Sequence, residues 1–146
     1  MHRLTRTVQQ MLRHKPQRVI AIEPDASVYA ALGRLAEYDI GCLVVLDGER
    51  LVGIFSERDY ARQVALLGKS SRETRVREIM THKVLCVRPE QTVDECMALM
   101  TSRRVRHLPV VDHKRVIGLV SIGDVVREVI EGQRAMIEEL EHYIHS

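Results

Sequence analysis

The sequence has no tryptophan and one phenylalanine, and aromatic residues make up 3% of it. That excludes a stacking platform for single-stranded nucleic acid and leaves the core to aliphatic side chains. Charge of one sign is not in excess. The 22 basic and 20 acidic residues leave a net +2, too balanced for a dedicated nucleic-acid binder. Long hydrophobic runs are missing: stretches such as CLVVL fall far short of the roughly 20 apolar residues of a membrane helix. The beginning of the chain lacks the apolar segment of a signal peptide. Cysteine is scarce, and Cys42, Cys86 and Cys96 form no CxxC pair and no metal-ligand spacing. An odd count without a secretory signal points to a reducing, cytoplasmic compartment. There is no P-loop, no GxGxxG and no nucleophile–base pair, so no catalytic chemistry is expected. His142 and His145 stand i, i+3 without a third ligand, so no metal site is expected either.

What is present is an ordinary globular balance, 45% apolar and 29% charged, in 146 residues. The runs VIAI, CLVVL, LPVV and IGLV supply the core. Basic residues cluster twice, once among Arg3, Arg6, Arg13, Lys15 and Arg18, and again at Arg103, Arg104, Arg106 and His107.

The chain repeats itself at an offset of 65 residues. Val19 falls on Val84, Pro24 on Pro89, Val28 on Val93, Leu43 on Leu108, Val45 on Val110 and Asp47 on Asp112. Arg50 falls on Arg115, Gly53 on Gly118, Ser56 on Ser121, Asp59 on Asp124, Arg62 on Arg127 and Val64 on Val129. No gap is needed, and most other pairs are apolar for apolar.

Each copy reads β-α-β-β-α. A first strand (Val19–Ile22; Val84–Val87) stops before a proline, which cannot donate to a ladder. A helix follows, with Ser27 and Thr92 as N-caps and Glu95 completing a capping box with Thr92. Val28, Ala31, Leu32, Leu35 and Ala36 make one helical face, which Val93, Cys96, Met97 and Met100 repeat. Two strands come next, Cys42–Leu46 and Leu51–Phe55, joined by the turn signal Asp47-Gly48-Glu49-Arg50. Their counterparts are Leu108–Val111 and Val116–Val120. A second helix starts near Ser56 and Ser121. The fold class is α+β, in five segments: a helical lead-in over 1–18 with Val8, Met11 and Leu12 on one face, a first repeat over 19–68, a polar linker with a lead-in helix over 69–83, a second repeat over 84–132, and a helical extension over 133–146. Ile130, Ile137, Leu140 and Ile144 carry an apolar stripe into that extension, suited either to covering the chain's own core or to pairing with another subunit.

The pattern V-x-x-x-P…hhVhD…hhGhhS-x-x-D, twice in tandem, resembles the CBS-domain pair, or Bateman module. HLPVVD and GLVSIGDVV in the second copy and GIFSERDYARQV in the first carry the likeness. The resemblance implies two repeats packed sheet against sheet about a pseudo-twofold axis, with clefts between them that bind AMP, ADP, ATP, S-adenosylmethionine or NAD. It also implies a homodimer, a regulatory role without catalysis, and a separate protein as any regulated target. The alternative is a structural or adaptor protein whose clefts are vestigial.

The two S-x-x-D motifs, Ser56–Asp59 and Ser121–Asp124, carry the site. Each follows a strand and opens a helix, where free N–H groups favour an anion. A serine hydroxyl suits a phosphate, and an ionised aspartate accepts two hydroxyls of a ribose diol. S-x-x-D is equally an acidic capping box. The resemblance assigns phosphate contacts to Arg58 and to the group Arg103, Arg106 and His107, the last two in swapped order relative to the regulatory γ subunit of AMP-activated kinase. It places adenine against Val19, Ile20, Tyr38 and Ile40 in one cleft, and against Val84, Leu85 and Val105 in the other. Simple core packing is the alternative for those apolar residues.

Overall fold

The structure is a computed structural model that describes residues 6–14 and 19–145, without the side chains of residues 144 and 145. Helix α1 (Val8–Leu12) is followed by β1 (Ala21–Ile22), α2 (Val28–Tyr38), β2 (Cys42–Asp47), β3 (Arg50–Ser56) and α3 (Glu57–Tyr60). A π-helical segment (Ala61–Ala65) runs directly on from α3. Then come α4 (Val76–Ile79), α5 (Val93–Arg103), β4 (His107–Asp112), β5 (Arg115–Ser121) and α6 (Ile122–His145). The chain is therefore a mixed α+β protein with two sheets, and it ends in a long helix.

The residues divide into two compact units. One comprises Arg18–Leu85 with His113–Val116, and the other Met1–Gln17, Cys86–Asp112 and Ile117–Ser146.

In the first of these, β1 pairs parallel with β2, and β2 antiparallel with β3. One face of the sheet buries Leu43, Val45 and Phe55 against Val28, Ala31 and Leu35 of α2. Burying such side chains stabilises the fold by roughly 1.5–3 kcal/mol each. Short α4 completes the core with Val76 and Ile79, held by main-chain bonds from Val76 N–H to the Ala26 carbonyl and from Arg77 N–H to that of Pro24, both 2.9 Å. Arg77 Nε also reaches Asp25 Oδ1 at 2.7 Å. The turn between β2 and β3 narrows to Gly48 and Glu49, with Asp47 paired to Arg50. Gly48 has φ 67°, as the first central residue of a type II′ turn requires.

In the other unit, α1 occupies the place that α4 holds in the first. Val8 N–H donates to the Gln91 carbonyl at 2.7 Å, and Val93 N–H to that of Arg6 at 2.8 Å. Val8, Met11 and Leu12 are buried, as their shared face implies. Strands β4 and β5 form a two-stranded sheet, and Val93, Cys96 and Met100 of α5 are buried.

Three local expectations are corrected. The opening strands are shorter than the sequence implies: only Ala21–Ile22 forms β1, and in the second copy only Val87 bridges, to Val110. The cause is readable. Val44 N–H reaches the Ile20 carbonyl at 3.3 Å, whereas the equivalent position is Pro109, which has no N–H to donate. The second helix of the first copy is not regular but turns π-helical after Tyr60, with Leu66 N–H bonded to the Ala61 carbonyl five residues back at 3.0 Å. At Thr92 the hydroxyl caps Glu95 N–H at 3.1 Å, but the Glu95 side chain accepts from that hydroxyl at 3.3 Å and from Gln91 Nε2 at 3.1 Å.

Candidate functional site

Strand β3 runs into α3 at Ser56, and β5 into α6 at Ser121. At both junctions the first helical N–H is taken by the residue that leads into the neighbouring strand. Glu57 N–H donates to the Gly41 carbonyl at 3.1 Å, and Ile122 N–H to the Arg106 carbonyl at 2.9 Å. Gly41 and Arg106 are themselves one repeat apart, so the two junctions share one backbone design.

The side chains repeat it too. Ser56 N–H donates to Asp59 Oδ2 at 2.9 Å while Asp59 N–H donates to Ser56 Oγ at 3.2 Å. Ser121 N–H donates to Asp124 Oδ2 at 2.8 Å while Asp124 N–H donates to Ser121 Oγ at 3.2 Å. Both motifs are thus reciprocal capping boxes, each satisfying two N–H groups that the helix start would leave open.

They differ in their outer partners. The Ser56 hydroxyl donates to Asp59 Oδ2 at 2.9 Å, and the Thr81 hydroxyl to Asp59 Oδ1 at 3.1 Å. Asp59 remains half-buried. Asp124 is 5% exposed, and Arg127 lies against its Oδ1 in an ion pair. Cys42, across the sheet from Ser56, is buried, and its thiol is pushed up to about 12 by that burial and, next, by the negative charge of Asp59.

The remaining candidates fall as follows. Arg58 is exposed on α3, next to Asp59. Val19, Ile20, Tyr38, Ile40, Val84 and Leu85 belong to the same compact unit as Ser56 and Asp59. Ile20 and Ile40 pack against its core, Tyr38 is exposed at the end of α2, and Val19, Val84 and Leu85 are half-buried. Arg103, Val105, Arg106 and His107 share the other unit with Ser121 and Asp124. The bond from Ile122 N–H ties the Arg106 main chain to that helix start, and its side chain is exposed, as is that of Arg103. Val105 and His107 are half-buried.

Two residues at the junctions escape the sequence reading. Thr81 lies 22 residues from Asp59, with no local signal linking them. Arg127 follows Asp124 by three positions on a helix, the spacing of facing side chains, and is legible in hindsight. Among the described residues no group of three or more His, Cys, Asp or Glu is placed to hold a metal ion, and no helix is long and apolar enough to cross a membrane.

The CBS-domain family model matches residues 8–66 and 76–131. Among curated proteins, the chain is similar to "CBS domain-containing protein CBSX3, mitochondrial" of Arabidopsis thaliana, 43% identical over 125 residues. That alignment takes in 82% of this chain and 61% of the relative, so the chain spans less than two thirds of the relative's length. Among solved structures it is similar to a putative signal-transduction protein with CBS domains from Burkholderia ambifaria, with 52% identity and a TM-score of 0.83 over 86% of this chain and 94% of that one. It is likewise similar to a protein from Agrobacterium tumefaciens described as containing CBS domains, with 36% identity and a TM-score of 0.81 over 88% and 96% of the two chains.

Proposed function

The chain belongs to the CBS-domain family, as two tandem copies, and on that premise we propose that it is a non-catalytic sensor for an adenosine ligand: AMP, ADP, ATP, NAD or S-adenosylmethionine. One observation carries the reading. The Ser56–Asp59 and Ser121–Asp124 pairs repeat the same hydrogen bonds at equivalent strand-to-helix junctions. The serine–aspartate box recurs only at these two equivalent starts among the described helices, whereas α1 pairs Thr7 with Gln10, α2 has Ser27 alone and α5 pairs Thr92 with Glu95.

In this proposal Asp59 and Asp124 accept the ribose hydroxyls, and Ser56 and Ser121 donate to phosphate. Arg58 of the first copy and Arg103, Arg106 and His107 of the second together serve the phosphate. Val19, Ile20, Tyr38 and Ile40, and separately Val84, Leu85 and Val105, supply apolar walls for adenine. The hydrogen bonds suggest how the exchange runs at the first copy. The Ser56 hydroxyl and N–H and the Thr81 hydroxyl occupy three of about four acceptor sites on Asp59. Rotating the Ser56 hydroxyl towards a phosphate frees an acceptor for the ribose at little cost in bond count.

The proposal includes a homodimer, a separate protein as regulated target and a cytoplasmic setting. The adaptor alternative draws support from the exposed apolar residues of α6.

Calorimetry with AMP, ATP, NAD and S-adenosylmethionine tests the ligand reading. Micromolar binding of at least one, about −8 kcal/mol, is expected. Asp59→Ala and Asp124→Ala should each cost about 1.5–3 kcal/mol at their own site through lost charged hydrogen bonds. No heat with any of the four contradicts the proposal and leaves the adaptor reading.

A further inference from the structure

Helix α6 has 24 residues, more than its own unit covers. Val125, Val129 and Met136 lie towards the unit's interior, buried or half-buried. A second stripe, about a quarter turn away, is apolar and open: Ile130, Ile137 and Leu140 are 46%, 55% and 56% exposed. With Gln133 these follow the alternating three- and four-residue spacing of a coiled-coil seam, Ile130 and Ile137 at a positions and Gln133 and Leu140 at d positions. On the flank of the seam that faces away from the unit stand Arg127, Arg134 and Glu141, all at e positions.

We infer that α6 pairs with α6 of a second copy of this chain as a two-stranded antiparallel coiled coil, which gives the proposed homodimer a surface and a polarity. Charge selects the occupant and the direction. In an antiparallel pair a faces d and e faces e. Ile130 then packs on Leu140 of the second copy, and Ile137 on its Gln133. In this register each Glu141 falls between Arg127 and Arg134 of the other helix, twice over by symmetry, and these four opposite-charge contacts outnumber the one approach of the two Arg134 side chains across the twofold axis. A parallel pair sets e against g, leaving Arg134 opposite Val129 and Glu141 opposite Met136 with no charge partner. Among the described residues, the ion pair of Arg134 within its own chain is an exposed i, i+3 contact with Glu131 at 3.6 Å, an interaction of little worth. Arg134 is thus available to a partner helix.

Two measurements on the full chain test this, each with helicity followed by circular dichroism. The first is sedimentation equilibrium at low salt. The wild type should form a concentration-dependent dimer. Glu141→Arg should weaken it on the order of tenfold or more, and adding Arg134→Glu should recover association. The second is air oxidation in a Cys86→Ser background. The double variant Gln133→Cys, Ile137→Cys should cross-link to a covalent dimer, and Ile137→Cys alone should not. Cross-linking by Ile137→Cys alone means a parallel pair and overturns the inference. A dimer untouched by Glu141→Arg and by Ile137→Asp overturns it too, while leaving self-association through another surface intact. A wild type that stays monomeric overturns both, and none of these results bears on ligand binding.

Discussion

The Ser56 hydroxyl donates to Asp59 Oδ2 at 2.9 Å and accepts from Asp59 N–H at 3.2 Å, so one serine is donor and acceptor to the same aspartate. The equivalent pair, Ser121 and Asp124, is set deeper and backed by Arg127. The two aspartates should therefore divide their effects differently between folding and binding. Asp59→Ala should cost about 1 kcal/mol of stability, the ordinary loss of a helix cap. Asp124→Ala should cost more, about 2–3 kcal/mol, because it empties a buried carboxylate site, leaving the half-buried Ser121 N–H without its acceptor and Arg127 without its charge partner. Urea denaturation of the two variants without ligand checks the order, and equal losses would contradict it.

Two glycines one repeat apart make a second contrast. A Cβ at Gly53 would lie 2.7 Å from Met80 Sδ and 2.8 Å from the Thr81 carbonyl oxygen, and the latter is main chain. The nearest atoms to a Cβ at Gly118 would be those of the Leu12 side chain, its methyls at 2.9 and 3.1 Å. A side chain can yield where a backbone cannot. Gly53→Ala should therefore destabilise by about 2–3 kcal/mol and Gly118→Ala by about 1 kcal/mol or less, read from thermal or urea melts.

The β4–β5 turn places His113 at φ 50° and Lys114 at φ 66°. Both central residues of such a turn need the left-handed region, where a side chain costs about 1–2 kcal/mol and glycine nothing. Lys114→Gly should raise stability by up to about 1 kcal/mol, part of the gain being returned through the looser unfolded chain. A melting temperature that falls would contradict this.

Cys42 offers a test by pH. Its folded-state value of about 12 stands above its ordinary 9.0, because burial and the Asp59 carboxylate both disfavour the thiolate. The native state therefore holds the proton more tightly than the unfolded one. The contribution is fully present below the unfolded value and is lost as pH rises through the folded one. Alkylation at pH 8 should leave Cys42 untouched in the native protein and modify it in urea. Rapid native labelling of Cys42, read by mass spectrometry, would contradict its burial.

Much of this fold is legible in the sequence, for identifiable reasons. The duplication shows because Gly53, Ser56 and Asp59 and their partners Gly118, Ser121 and Asp124 serve backbone needs that recur in each copy. Helices α2 and α5 show because Val28, Ala31 and Leu35, like Val93, Cys96 and Met100, bury one face. The opening strands are over-read because apolar runs such as VIAI do not reveal whether a neighbour has an N–H to offer, and Pro109 does not. The π-helical segment is invisible, since main-chain bonds shifted by one residue over so short a stretch leave no periodic trace. At the site, the caps follow from the S-x-x-D spacing. The Thr81 hydroxyl on Asp59 does not, because only the folded chain brings those positions together.

The most direct test of the sensing role is to titrate the isotopically labelled full chain with AMP and follow its backbone amides by NMR, repeating with ATP, NAD and S-adenosylmethionine. Saturable shifts centred on Ser56–Asp59, Ser121–Asp124 or both are the predicted result for at least one compound. No shift at either helix start with any of the four, at concentrations well above micromolar, would contradict it.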